Sequence, residues 1–131
     1  AGSQVTDISV LRNCTDLRDL NLTGSQVTDI SALRKCTNLR KLDLCETQVI
    51  DISALGNCIN LCALILRGTQ ITDISVLGKC MALQYVDLRQ TRVTDILSLK
   101  KCKKLRLLFL DHHPLIDAST LKNVMTMEDL P

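Results

Sequence analysis

A phrase of the form LxxLxLxxTxVTDISxLxxCxx returns every 22 residues without an insertion, with units starting at Leu17, Leu39, Leu61, Leu83 and Leu105. A period of this length is the mark of a stacked array, in which each unit is too small to bury its own apolar face and must cover that of its neighbour. Apolar side chains recur at unit positions 1, 4, 6, 11, 14, 17 and 20. The chain divides into a half unit at 1–16, full units at 17–38, 39–60, 61–82, 83–104 and 105–126, and the start of another at 127–131. All of 1–131 therefore reads as one domain. The opening Ala1-Gly2-Ser3 reads as a cloning remnant, which marks the chain as a fragment of a longer protein.

Within a unit, the LxxLxL segment ends in apolar and polar alternation, the period of a short strand. Strands of successive units run in the same direction, so they form a parallel sheet with neighbours about 4.8 Å apart, and five of them span roughly 20 to 25 Å. Thr-Asp-Ile follows at Thr6, Thr28, Thr72 and Thr94, and its Asp recurs as Asp7, Asp29, Asp51, Asp73, Asp95 and Asp117. An Asp ahead of an apolar i, i+3 pair such as Ile30 and Leu33 predicts the N-cap of a short 3₁₀ or α turn. Capping also predicts that stability falls as these carboxylates are protonated.

The composition agrees with aliphatic layers. Hydrophobic residues make up 46% of the chain and aromatics 2%, so Leu, Ile, Val and Cys must build the core. The formal charge of +2 gives no chain-wide reason to expect nucleic acid or a membrane as partner. No run approaches the ~18 apolar residues of a membrane span.

The repeat resembles the leucine-rich-repeat superfamily, and its 22-residue Thr-Asp-Ile-Ser-x-Leu form is most similar to the short repeats of internalins and kinetoplastid repeat proteins. The resemblance covers nearly all of 4–126. It implies an α/β repeat solenoid, a right-handed superhelix with a parallel concave sheet and short turns on the convex side. It also implies a binding scaffold rather than an enzyme. The family usually carries Asn at position 9, where this chain has Ser25, Thr47, Thr69, Thr91 and His113. A hydroxyl replaces the amide there with fewer hydrogen bonds.

Five of the seven cysteines, Cys14, Cys36, Cys58, Cys80 and Cys102, share one repeat position. Equivalent side chains in adjacent coils lie parallel near 5 Å apart, whereas a disulfide needs convergent Cβ atoms at about 3.8 Å. They read as buried thiols, and with the odd total they point to a reducing, intracellular and most simply cytoplasmic setting. Cys45 and Cys62 fall outside the ladder, too far apart to share a metal. His112 and His113 lack convergent partners. No metal, cofactor or catalytic constellation is expected: the chain has no phosphate-cradling Gly loop, zinc-type Cys spacing or Ser-His-Asp order.

With positions 4 and 6 inward, positions 3, 5 and 7 point out of the concave face. Lys41, Asp43, Ile65, Arg67, Tyr85, Asp87, Arg89, Leu107, Phe109 and Asp111 are the candidate contacts for a protein or peptide. Both aromatics of the chain fall there, although Leu107 and Phe109 would also suit contact with a further unit. The alternative surface is the basic run Lys100, Lys101, Lys103, Lys104 and Arg106, suited to RNA or anionic lipid. A passive spacer within a larger enzyme or ligase is the third reading. Uncapped parallel edges favour end-to-end self-association.

Overall fold

The computed structural model describes residues 5–111, 113–116, 121 and 124–126. It is a solenoid in which one short strand and one 3₁₀ turn alternate. Strands β1 (Asp19–Asn21), β2 (Lys41–Asp43), β3 (Ala63–Ile65), β4 (Tyr85–Asp87), β5 (Leu107–Phe109) and β6 (Met125–Thr126) form a single sheet in sequence order. Every neighbouring pair is parallel. The turns η1 (Ser9–Leu11), η2 (Ser31–Lys35), η3 (Ser53–Asn57), η4 (Ser75–Lys79) and η5 (Leu97–Lys101) stack on the convex side. Each is 3₁₀ rather than α, as suits runs this short.

The register reproduces the repeat through β5: Leu20, Leu42, Leu64, Val86 and Leu108 are aligned across the sheet. The sixth strand departs from the expected phase. Met125 pairs with Leu107 and Thr126 with Leu108, so this strand arrives ahead of the unit start expected at 127. Leu107 and Phe109 consequently lie on a strand paired on both sides.

The core is a set of aliphatic columns. Position 4 (Leu42, Leu64), position 6 (Leu44, Leu66), position 14 (Ile52, Ile74) and position 17 (Leu55, Leu77) are buried. Each such side chain contributes about 1.5–3 kcal/mol by leaving water. The cysteine ladder completes the layer, with Cys36, Cys58, Cys80 and Cys102 buried and every cysteine free. Their thiols donate across coils to the carbonyls of Leu11 (3.6 Å), Leu33 (3.8 Å), Leu55 (3.4 Å) and Leu77 (3.2 Å). Each of these carbonyls also accepts the backbone N–H of the cysteine in its own coil, at 2.9 or 3.0 Å, so the thiol of the next coil is a second, weak donor that ties the two coils together.

The Asp column works as the repeat implies, with one shift. Oδ1 of Asp7, Asp29, Asp51 and Asp73 accepts the N–H of Ser9, Ser31, Ser53 and Ser75 at 2.8 Å, and Asp95 accepts that of Leu97 at 2.9 Å. The N-cap residue itself is the intervening Ile, as at Ile30 and Ile52, which makes no side-chain cap bond. An i to i+2 Asx bond replaces the expected cap because the tight turn brings that N–H within reach first. Asp117 and His112 lie outside the described residues.

At position 9 the hydroxyls of Thr47, Thr69 and Thr91 donate to the carbonyls of Leu44 (2.8 Å), Leu66 (2.6 Å) and Leu88 (2.7 Å) in their own coils. In these three coils the hydroxyl closes the coil on itself instead of bridging to the next, whereas the buried Ser25 Oγ has no hydrogen-bond partner.

Candidate functional site

The concave face is laid out by two local devices. First, position 5 carries Asn21, Asp43 and Asp87, whose Oδ1 accepts the N–H of Thr23 (2.9 Å), Cys45 (2.9 Å) and Arg89 (3.0 Å). These Asx bonds turn the chain off the sheet. Second, position 8 lies in the left-handed region: Gly24 at φ 70°, Glu46 at 58°, Gly68 at 76° and Gln90 at 58°. This geometry lets the N–H of Gly24, Glu46 and Gly68 reach the carbonyls of Cys45, Arg67 and Arg89 in the next coil. At Gln90 the Asp111 carboxylate takes that role, accepting the N–H at 2.7 Å.

The units 83–104 and 105–126 build a joined group on this frame. Tyr85 and Phe109, on adjacent strands, meet edge to face with ring centroids 5.3 Å apart and planes at 62°. The Arg89 guanidinium lies 4.8 Å above the Phe109 ring, a cation–π distance. It also grips Asp87 with two bonds, Nε to Oδ1 at 3.0 Å and Nη2 to Oδ2 at 2.6 Å. That hydrogen-bonded pairing raises the guanidinium pKa further, and burial, with Asp87 adding, pushes the Tyr85 phenol up.

The structure sorts the candidate residues. Tyr85, Phe109, Leu107, Ile65, Arg67 and Arg89 are half-buried on the concave side, while Lys41 is exposed near the other end. Asp87 corrects the expectation of an outward contact: it points to the concave side yet is only 2% exposed. Two of its neighbours' needs, the Arg89 backbone and side chain, occupy its oxygens. Asp43 and Asp111 likewise spend an oxygen on backbone N–H groups, although Asp111 is exposed. Arg67 differs from Arg89. Among the described residues Arg89–Asp87 is the only ion pair, and the buried Nε of Arg67 has no acceptor.

Lys100, Lys101, Lys103, Lys104 and Arg106 are all exposed, running from η5 down to the start of β5. Cys45 and Cys62 are half-buried, and burial first, then Asp43 and Glu46, pushes the Cys45 thiol up. His113 accepts the Leu115 N–H through Nδ1 at 3.0 Å, which gives it a turn-closing bond. Among the described residues no three His, Cys, Asp or Glu side chains gather as a metal site, and no helix is long and apolar enough to cross a membrane. Sequence reasoning missed the left-handed position 8, whose signal was the recurrence of Gly24 and Gly68 in phase.

A parallel sheet with one short strand from each coil, backed by 3₁₀ turns, defines a solenoid repeat protein. This is the leucine-rich-repeat architecture, and the solved structures similar to the chain are internalins and other leucine-rich-repeat proteins. It is similar to internalin InlF of Listeria monocytogenes, at 30% identity and TM-score 0.83, over 94% of this chain and 37% of that one. Internalin C2 of the same organism matches at 30% identity and TM-score 0.83, over 94% and 56%. The functional domain of Listeria InlJ, described as including a cysteine ladder, shares the fold at TM-score 0.80 and 20% identity, over 93% and 26%. The chain thus spans well under two thirds of each of these proteins. No protein-family model and no curated protein sequence matches it.

Proposed function

We propose that this chain is a non-catalytic binding module that holds a protein or peptide on the concave surface of β3 to β5. The observation that carries this reading is the Tyr85–Phe109–Arg89–Asp87 group. Both aromatics of the chain stand on the outer side of the sheet, locked to each other and to a guanidinium that is already neutralised. A surface with its side chains fixed before contact loses little conformational entropy on binding, and Tyr and Arg are the side chains that anchor interfaces. Ile65 extends the apolar shelf, and Arg67, free of an intramolecular ion pair, offers the cation for a partner's carboxylate. The likeness to internalins supports a recognition role in general.

The compartment is read from chemistry rather than from the ladder. Buried thiols with raised pKa values resist exchange in any setting, so the half-buried Cys45 and Cys62, free as they are, support the reducing interior.

The experiment is capture of a partner from native lysate, comparing the wild-type chain with Tyr85→Ser and Arg67→Glu. Loss of the captured protein in both variants, with unchanged circular dichroism, is the expected result. Capture that survives both changes overturns the assigned face. Arg89→Ala is unsuited to this test, because it strands the buried Asp87 carboxylate and perturbs the fold itself.

A further inference from the structure

Each coil returns from its 3₁₀ turn to the next strand along one side of the solenoid, unit positions 18 to 2, and this descending flank has a charge pattern of its own. Its first two coils carry Arg12, Arg18, Arg34, Lys35 and Arg40. Its last carries the exposed Lys100, Lys101, Lys103, Lys104 and Arg106. Asp16 is the one acidic side chain there among the described residues, whereas the opposite flank holds the Asp29, Asp51 and Asp73 column with Glu46. Between the two cationic ends lie Ile59 and Met81. They occupy the same position in adjacent coils and stay 59% and 54% exposed, although the aliphatic columns beneath are closed. The lysine stems pack from coil to coil along the adjoining 3₁₀ turns: Lys101 Cδ passes 3.2 Å from where a Cβ on Gly78 would stand, and Lys79 Cδ 3.6 Å from the same point on Gly56.

We propose that the descending flank docks the chain on a membrane surface bearing anionic lipid headgroups, with Ile59 and Met81 dipping into the interface and the two cationic ends meeting the headgroups. Apolar side chains at the centre of a surface rich in lysine and arginine are what an interfacial anchor requires, since the cations gain from the surface potential while the apolar groups leave water. A nucleic acid fits the pattern poorly. Tyr85 and Phe109 are both on the concave face, which leaves nothing here to stack on a base, and Ile59 and Met81 would face phosphates. A protein partner fits poorly too, because interfaces centre on aromatics and this flank has none.

The test is flotation of the 131-residue chain with phosphatidylcholine vesicles, with and without phosphatidylserine. Binding only to the phosphatidylserine vesicles, weakening as salt is raised, is expected. Lys100→Ala, Lys101→Ala, Lys103→Ala and Lys104→Ala together should lower partitioning by about a hundredfold or more. Ile59→Ser with Met81→Ser should lower it by roughly tenfold. All six side chains are exposed, so circular dichroism should show an unchanged fold. Tyr85→Ser and Arg67→Glu should leave flotation as in the wild type, which separates this surface from the concave one. Absence of binding, indifference to phosphatidylserine, or equal binding to duplex RNA that the serine pair does not reduce would each overturn the proposal.

Discussion

Arg89 encloses Asp87 from two directions at once: its backbone N–H and its Nε both donate to Oδ1 at 3.0 Å, while Nη2 reaches Oδ2 at 2.6 Å. The carboxylate is buried and the guanidinium is about a quarter exposed, at 3% and 26% of their side-chain surfaces. Removing the guanidinium leaves a buried charge with only the backbone donor. Arg89→Ala should therefore cost about 2–3 kcal/mol, toward the lower end for breaking a buried pair because Arg89 keeps contact with water. Asp87→Asn retains the acceptor for the Arg89 backbone while removing the charge. The double variant should recover most of the loss, and urea unfolding of the four proteins measures the coupling. Additive single effects would show that the pair contributes nothing beyond its separate parts.

Position 8 makes a second prediction, since Glu46 and Gln90 hold φ values of 58° that glycine adopts without strain. Gln90→Gly keeps the N–H that Asp111 accepts and removes a Cβ from the left-handed region. Allowing for glycine's greater freedom in the unfolded chain, a gain of roughly 0.5–1 kcal/mol is expected. Gly68→Ala, at φ 76°, should lose about 1 kcal/mol, with the new Cβ also displacing the Glu46 carboxyl. Thermal midpoints that move in the same direction for both changes would contradict the assignment.

These two sites also show where the sequence was legible. The solenoid, its parallel sheet and the inward columns follow from period alone, because a side chain's direction repeats with the coil. Asp87 does not follow from period. It occupies an outward position, and only the approach of Arg89 from two residues on closes it off, a contact that depends on side-chain conformation. The Asx bond of Asp29, expected as the cap but standing one residue ahead of the actual N-cap Ile30, is similar, since helix ends are the least determined part of a pattern. The early arrival of β6 follows Pro114, where the Thr-Asp-Ile phrase gives way to other residues and the phase is no longer enforced.

The Asp column sets an acid limit. Backbone N–H bonds from Ser9, Ser31, Ser53 and Ser75, helped by the serine side chains, hold Asp7, Asp29, Asp51 and Asp73 below the ordinary value of 3.8. A folded pKa below the unfolded one means that the contribution is fully present above 3.8 and is lost as pH falls through the lowered values. Thermal unfolding should be flat, as far as these groups decide it, from neutrality to about pH 5 and should decline below about pH 4. Asn in place of all four aspartates keeps the Oδ1 acceptors and should flatten that acid limb. A limb of unchanged steepness in the quadruple variant would assign the acid sensitivity to other carboxylates.

The cysteine ladder is testable by thiol titration. Burial pushes Cys58 up to about 11 and Cys80 up to about 12, with neighbouring ladder thiols adding to the effect, and it also raises Cys36 and Cys102. Thiolate is the reacting species, so at mildly alkaline pH these four should be silent toward a disulfide reagent in the native chain. The half-buried Cys14, Cys45 and Cys62 should react, Cys45 slowly because burial, Asp43 and Glu46 oppose its ionisation. Urea should then release the remaining four in step with the loss of circular dichroism, because each sits under a stacked coil and donates to a carbonyl of the preceding coil. Release of Cys36 or Cys102 before the central pair would report fraying from the ends, as nearest-neighbour stacking allows. Reaction of Cys58 or Cys80 at the rate of Cys62 in the native chain would mean that the central coils open far more readily than their closed aliphatic columns permit.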